Sequence, residues 1–571
     1  MKRLLVLSIA FITAVFMTGC VLSTQNTTQT NTTTQSLTDS STQTSSSITS
    51  DSTQLTQTTL PSITTQTTTL PQSQTTTTTV TYDRYQTIEI FSVNDFHGGA
   101  YSNINTLASI GELIKYKKDS TNHTLAIANG DIFQGTSFSN YYQGRPIVDI
   151  FNEIGFDAFV IGNHEFDWGI DVIGNYKDGN SSNGEANFEF LAANILTTSN
   201  DEMLDFAKPY TIHEINGLKV GIIGVIGDVI NSISASRVEG YYFDNVYETV
   251  RKYAYELRTQ QDVDIVIASI HEYNDYTNYQ IASLSGDYLV DAIFNGHTHQ
   301  SMADSIQRTG TDLPYAQSSN YSQSLLSKIT LVYDRETKSV SNAYAENISD
   351  SQLSSSDTGV QAIINSYANN SVYLNFVNEV LATTNSTYYR ADLSPWGASV
   401  IRDYVQVDFG FVNSGGFRVS MPSGTLTMGK MIEIYPFDNF IKTSQLTGQQ
   451  LNNMCYVLNN YDVIADDSVS CSSGYFYQNG VRVNAQQLYT VAAVDYIFDK
   501  TNYGFLQGQN ITLTEYLMRD LLVLDLKANT NYYFNPYNGT SYDSYQQTSY
   551  TYNSLFHEIS FYYQDLFKSI A

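Results

Sequence analysis

Apolar positions fall into distinct patterns along the chain. Near the start, Lys2 and Arg3 precede an apolar run from Leu4 to Met17, followed by Thr18-Gly19-Cys20. That run is short for a membrane span but suits the apolar segment of a secretory signal, so residues 1–20 are expected to lie outside the fold. Residues 21–81 are almost all Thr, Ser and Gln, without an aromatic residue or a glycine, and with Asp39 and Asp51 as their only charges. Such a stretch buries too little apolar area to offset chain entropy and predicts a disordered linker.

From residue 82 the pattern changes to short apolar runs that stop at polar residues. Thr87–Val93 alternates and breaks into Asn94-Asp95-Phe96-His97-Gly98, and Leu125–Ala128 ends in Asn129-Gly130-Asp131. Ala158–Ile161 ends in Gly162-Asn163-His164-Glu165-Phe166-Asp167, Ile265–Ile270 ends at His271, and Val290–Phe294 ends in Asn295-Gly296-His297-Thr298-His299. With helical-looking stretches between them, these runs predict buried strands of an α/β layer structure over residues 82–348. Residues 349–384 read as a polar helical connector, and 385–530 as a second, smaller α/β body closing on a helix-like Tyr516–Ala528. The tail, 531–571, is rich in Tyr, Asn, Ser and Gln.

Composition narrows the function. Of 571 residues, 56 are acidic and 28 basic, a formal charge of −28, so no basic surface is available for binding a nucleic-acid polymer. Five of the eight histidines, His97, His164, His271, His297 and His299, stand at the strand ends, with Asp95, Asp131, Asn163 and Asp167 beside them. A single such histidine would read as a packing or surface residue, as His123, His213 and His557 do. The set reads as chemistry, because groups at the carboxyl ends of neighbouring strands converge on one rim. Asp oxygens and neutral imidazoles suit borderline divalent cations such as Mn or Zn, and no Cys takes part, which argues against a structural zinc site. Cys455 and Cys471, sixteen residues apart, form either a disulfide or two isolated buried thiols.

Asn94-Asp95-Phe96-His97-Gly98, Gly130-Asp131-Ile132-Phe133-Gln134-Gly135 and the run from Gly162 to Gly169 resemble the calcineurin-like metallophosphoesterases, and more closely their 5′-nucleotidase branch. The resemblance runs from about Ile88 to Leu526 and implies a four-layer αββα sandwich followed by a C-terminal substrate-binding domain. It implies two divalent metals, one held by Asp95, His97, Asp131 and His299 and the other by Asp131, Asn163, His271 and His297. Two such cations about 3.5–4 Å apart can share a hydroxide and clamp the attacking and leaving oxygens of an in-line displacement. His164 would then stabilise the transition state or protonate the leaving group, with Asp167 orienting its ring.

In the second body, Asn413-Ser414-Gly415-Gly416-Phe417-Arg418 and Tyr435-Pro436-Phe437-Asp438-Asn439 resemble the substrate domain of the same family. By that resemblance Arg390 and Arg418 bind the anionic part of a substrate, Asn413 and Asn439 make polar contacts, and Phe437 and Tyr496 grip a base between their rings. The family's Gly-Gly-Asp-Gly, whose Asp holds the ribose hydroxyls, is replaced by Lys500-Thr501-Asn502-Tyr503-Gly504-Phe505, with Asp499 and Asn502 as possible substitutes. The family also implies rotation of the two domains about the connector.

Residues Thr18-Gly19-Cys20 resemble a bacterial lipoprotein signal, implying lipidation at Cys20 and an anchor at the cell surface. The combined expectation is a surface-anchored phosphohydrolase releasing phosphate from extracellular nucleoside 5′-monophosphates. The alternatives are hydrolysis of 2′,3′-cyclic nucleotides or nucleotide sugars, or a non-catalytic binding, adhesion or transporter-associated lipoprotein.

Overall fold

In the computed structural model, which describes residues 82–100, 103–121, 123–318, 324–528 and 533–542, the first alternating run lies in a strand Tyr85–Val93. The expected signal with Cys20, the linker 21–81, His557 and residues 543–571 of the tail lie outside the described residues. Because successive side chains of a strand point to opposite faces, Ile88 and Ile90 turn to one side and Phe91 and Val93 to the other, and all four are buried.

That strand belongs to a six-stranded sheet ordered Ser339–Ser349, Ser324–Asp334, Tyr85–Val93, Thr124–Asn129, Ala158–Val160, Glu189–Leu191. The last four run parallel, and their register aligns Val93 with Ala128 and Asn129 with Val160, so their carboxyl ends finish together. A second six-stranded sheet is ordered Met302–Ile306, Leu313–Gln317, Ala292–Phe294, Ile265–His271, Leu218–Ile226, Tyr210–Ile215. The two sheets share a core of Ile88, Ile90, Ile127, Val160, Ile222, Ile267 and Phe294. On its outer face the first sheet packs against helices Thr106–Thr121 and Arg145–Ile154, and the second against Val246–Gln260 and Asp275–Ala282. The layers are therefore helix, sheet, sheet, helix.

The second body has its own core around a five-stranded sheet ordered Ile464–Ala465, Phe409–Val412, Leu488–Val494, Phe440–Thr447, Gln509–Leu517. Trp396, on the helix Arg390–Val405, is 2% exposed and donates its indole N–H to Asp525 at 2.9 Å, which joins that helix to Met518–Ala528. Cys455 and Cys471 are disulfide-bonded, with their Cα atoms 5.6 Å apart; the isolated-thiol alternative does not hold.

Two expectations need correction. The stretch 349–384 is helical over Thr358–Ala368 and Ser371–Val377, but Val380–Thr384 is a strand paired antiparallel with Gly424–Thr427. Its β-branched Val380, Thr383 and Thr384 favour the extended backbone. Likewise Tyr516 and Leu517 still belong to the strand Gln509–Leu517, and the helix starts only at Met518. Among the described residues, no helix is long and apolar enough to cross a membrane.

Candidate active site

Each strand-end loop is held by buried backbone and side-chain hydrogen bonds. Glu165, 0% exposed, accepts from the backbone N–H of Asp131 (2.9 Å), Ile132 (2.9 Å) and Gly162 (2.8 Å), tying two of the loops to one carboxylate. A buried carboxylate is tolerated because three donors replace its water. Gly130 and Gly162 leave room that no side chain fits: a Cβ at Gly130 would stand 2.3 Å from His271 Nδ1, and one at Gly162 2.5 Å from Asp131 Oδ1. Asp95, His97, Asp131, His297 and His299 all adopt left-handed backbone, with φ between 50° and 71°. Non-glycine residues in that region are uncommon, so five within one rim mark a backbone shaped for its side chains.

The side chains form three overlapping groups whose ligand atoms lie within 4.8 Å of one another: Asp95, His97 and His299; His97, Asp131 and His164; and Asp131, His271 and His297. Asn163 joins the third, its Oδ1 2.8 Å from His297 Nδ1 and 3.3 Å from His271 Nε2. His97 directs Nδ1 to the Gln134 carbonyl at 3.0 Å, and His271 directs Nδ1 to the Asn129 carbonyl at 2.8 Å. A carbonyl accepts only from N–H, so both rings spend Nδ1 on the backbone and turn Nε2 inward, the arrangement of metal-binding histidines. Inward they meet other electron pairs: His97 Nε2 lies 3.4 Å from His299 Nε2, and His271 Nε2 3.2 Å from Asp131 Oδ2. Electron-rich atoms facing one another in a buried space fit cations between them.

The ionisation of the cluster follows the same logic. Burial lowers His97 well below its ordinary value and brings His297 and His299 to about 4, so all three are neutral ligands at pH 7. Burial also opposes charge on His271, but the Asp131 carboxylate outweighs it and lifts His271 to about 10; a proton there supplies the positive charge that a cation would replace. His164 Nδ1 lies 2.7 Å from Asp167 Oδ2, and its backbone N–H donates to Asp131 Oδ1 at 2.8 Å. Burial pulls the His164 pKa down, yet Asp167 and Asp131 together raise it above the ordinary value.

The rim opens into a cavity of about 280 Å³ between the two bodies. Asp131, Asn163, His164, Asp167, His297 and His299 wall it on the rim side, and Asn413, Arg418, Phe437, Asn439 and Tyr496 on the other. The Phe437 ring stacks toward His164 with centroids 5.9 Å apart, and the Arg418 guanidinium lies 5.7 Å from its centre. Arg390 is not on this wall: it is exposed at the start of its helix and donates from Nε to the Phe417 carbonyl at 3.0 Å, bracing the turn before Arg418. Asp499 is ion-paired with Lys442 at 2.7 Å, and neither it nor Asn502 lines the cavity.

Three further wall residues, Ser232, Ser234 and Asp462, escape sequence reasoning. Ser234 belongs to a first-body loop that meets the second, with Asn439 donating to it at 3.2 Å and to Asp495 at 2.9 Å. Asp462 follows the helix Gly448–Asn460 and meets Ser414, a partner far away in the chain, so no local pattern announces it.

Comparison with known proteins agrees with this architecture. Residues 88–301 match the family model of calcineurin-like phosphoesterases, and residues 366–507 that of the 5′-nucleotidase C-terminal domain. An endonuclease, YhcR, of Bacillus subtilis is 25% identical over 64% of this chain and 32% of its own length. A 5′-nucleotidase of Vibrio cholerae is 22% identical over 65% of this chain and 75% of its own. The chain spans about three tenths of the length of the first curated relatives it matches. Among solved structures, a 5′-nucleotidase precursor from Thermus thermophilus shares the fold with a TM-score of 0.62 at 18% identity, over 77% of this chain and 96% of that one. The rim described above thus falls in the first matched domain and the ring-bearing wall in the second, and the chain carries a calcineurin-like phosphoesterase domain followed by a 5′-nucleotidase C-terminal domain.

Proposed function

We propose that the chain is a two-metal phosphohydrolase that releases phosphate from nucleoside 5′-monophosphates outside the cell. One observation carries the reading: the candidate metal rim, an arginine and two aromatic rings wall one cavity. Two divalent cations, held by Asp95, His97, Asp131 and His299 and by Asp131, Asn163, His271 and His297, would supply an activated hydroxide and neutralise phosphoryl oxygens. The remaining groups act on the substrate directly. Arg418 forks onto the phosphate, a planar donor pair matching two oxygens. His164, whose Nδ1 is taken by Asp167, keeps Nε2 for the leaving oxygen and can deliver a proton there. Phe437 and Tyr496 hold a base by its faces, an interaction worth about 1–3 kcal/mol for any base.

A second reading, cleavage of nucleotide sugars, is favoured by a further cavity of about 180 Å³ lined by His97, Gln134, Arg418 and Glu433. A phosphomonoester needs one organic pocket, whereas a phosphate chain with a separate organic group at each end uses two. Chromatography of the products from 5′-AMP, 2′,3′-cyclic AMP, a UDP-sugar and 4-nitrophenyl phosphate, with Mn²⁺ or Zn²⁺ added, tests both. Free phosphate marks monoester hydrolysis, a nucleoside monophosphate released from the UDP-sugar marks the second reading, and one released from the cyclic nucleotide marks cleavage of a cyclic diester. Turnover of none of them ends the enzyme reading. Lipidation at Cys20 and residence at the bacterial surface complete the proposal. Labelled palmitate incorporated by the wild type and not by Cys20→Ala checks that part.

A further inference from the structure

The cavity wall carries a carboxylate that phosphate binding does not use. Asp462 lines the space shared by Arg418, Phe437 and Tyr496, and its charge, after burial, contributes to holding the Tyr496 hydroxyl up at about 12. Its orientation is fixed: Oδ1 accepts from the Ser414 backbone N–H at 3.0 Å and the Ser414 hydroxyl at 2.5 Å, and Oδ2 accepts from the Gly415 N–H at 2.9 Å. A carboxylate oxygen has about two acceptor sites, so Oδ1 is filled and Oδ2 keeps one. Beside it Asn413, 7% exposed, presents an Oδ1 that accepts no hydrogen bond from the protein. Gly415 leaves Asp462 Oδ2 uncovered, since a Cβ there would sit 3.0 Å from it; the same Cβ would sit 3.5 Å from the Asn413 amide nitrogen.

A carboxylate and an unpaired amide oxygen on one wall repel phosphate and attract neutral donors. Desolvating them in a closed complex without a donor carries a penalty, so a ligand lacking one is rejected. We infer that Asp462, with Asn413, determines specificity by accepting hydrogen bonds from the uncharged part of the substrate, either vicinal sugar hydroxyls or an amino group on the base. The inference rests on the nucleotide reading above and deepens it. It also places the nucleoside-reading carboxylate on a segment distant in sequence from Lys500–Phe505, where Asp499 is occupied by Lys442.

The test uses the full chain with Mn²⁺ and compares kcat/KM for AMP, 2′-deoxy-AMP, purine riboside 5′-monophosphate and 4-nitrophenyl phosphate. The wild type should prefer AMP at least tenfold over the deoxy nucleotide if the hydroxyls are read, or over the purine riboside nucleotide if the amine is read. Asp462→Asn should bring that ratio below threefold. Gly415→Ala, which crowds Oδ2 while leaving the carboxylate in place, should do the same and covers the case in which the Asp462 variant fails to fold. A brace of the turn alone would lower all nucleotides together and leave the ratio intact, which overturns the inference. Calorimetric binding of adenosine, 2′-deoxyadenosine and purine riboside reads the same discrimination without turnover. Absent phosphate release therefore defeats only the hydrolase reading, whereas equal discrimination by wild type and Asp462→Asn defeats this one.

Discussion

The two sides of the cavity are built on opposite principles. The rim is assembled from the ends of parallel strands whose register is fixed by ladders on both sides, and its ligand atoms are set by buried carbonyls of Gln134 and Asn129 and by Glu165. The facing wall comes from turns and loops of the second body plus Ser232 and Ser234 of the first, and meets through side chains distant in sequence. A cation demands several ligands at one point and tolerates little displacement, whereas ring stacking and hydrogen bonds to a nucleoside accept small shifts. Rigid strand ends suit the first task and adjustable loops the second.

The largest expected effect breaks the rim. Asp131→Ala removes the carboxylate shared by both candidate ligand sets and should lower kcat/KM by about 10³-fold or more, from several kcal/mol of lost charge stabilisation, with metal content falling in native mass spectrometry. Next, His164→Asn should lower kcat by roughly 10²–10⁴-fold, the range for a positioned proton donor, while metal content stays at the wild-type level. A drop in bound metal would instead make His164 a ligand.

Asp167→Asn sharpens the same side through pH. Asp167 helps keep His164 protonated above its ordinary pKa, so its removal lets the proton leave earlier, and the alkaline limb of kcat should move to lower pH. An unmoved limb would show that a different group sets it. On the wall, Tyr496→Ala should raise KM for AMP by about 5–150-fold, the equivalent of 1–3 kcal/mol of stacking, with a smaller change in kcat. An equal fall in kcat would indicate that the wall positions the reacting phosphate as well.

The rim was legible because its signals are local. An apolar run that halts at Asn-Asp-x-His or Gly-Asn-His-Glu reports a strand and its functional end in a few consecutive residues; the spacing of those runs predicts an α/β layer structure, and the family resemblance implies its αββα order. Its supports were less visible: Glu165 stands inside a quoted motif, yet only the fold reveals that it gathers three backbone donors. On the wall, the structure brings Phe437, Tyr496, Asn413, Asn439 and Arg418 to the cavity, whereas Arg390 lies off its lining with Nε on a backbone carbonyl. Asp462 had no local signature, because its partners Ser414 and Gly415 reach it only once the sheet has formed.

The bond between Cys455 and Cys471 closes a ring of chain, and Asp462 lies within that ring. In the chain-entropy view that ring limits the unfolded chain, and opening it costs roughly 3 kcal/mol of stability. Reduction should therefore lower the unfolding temperature of the second body, which carries the ring.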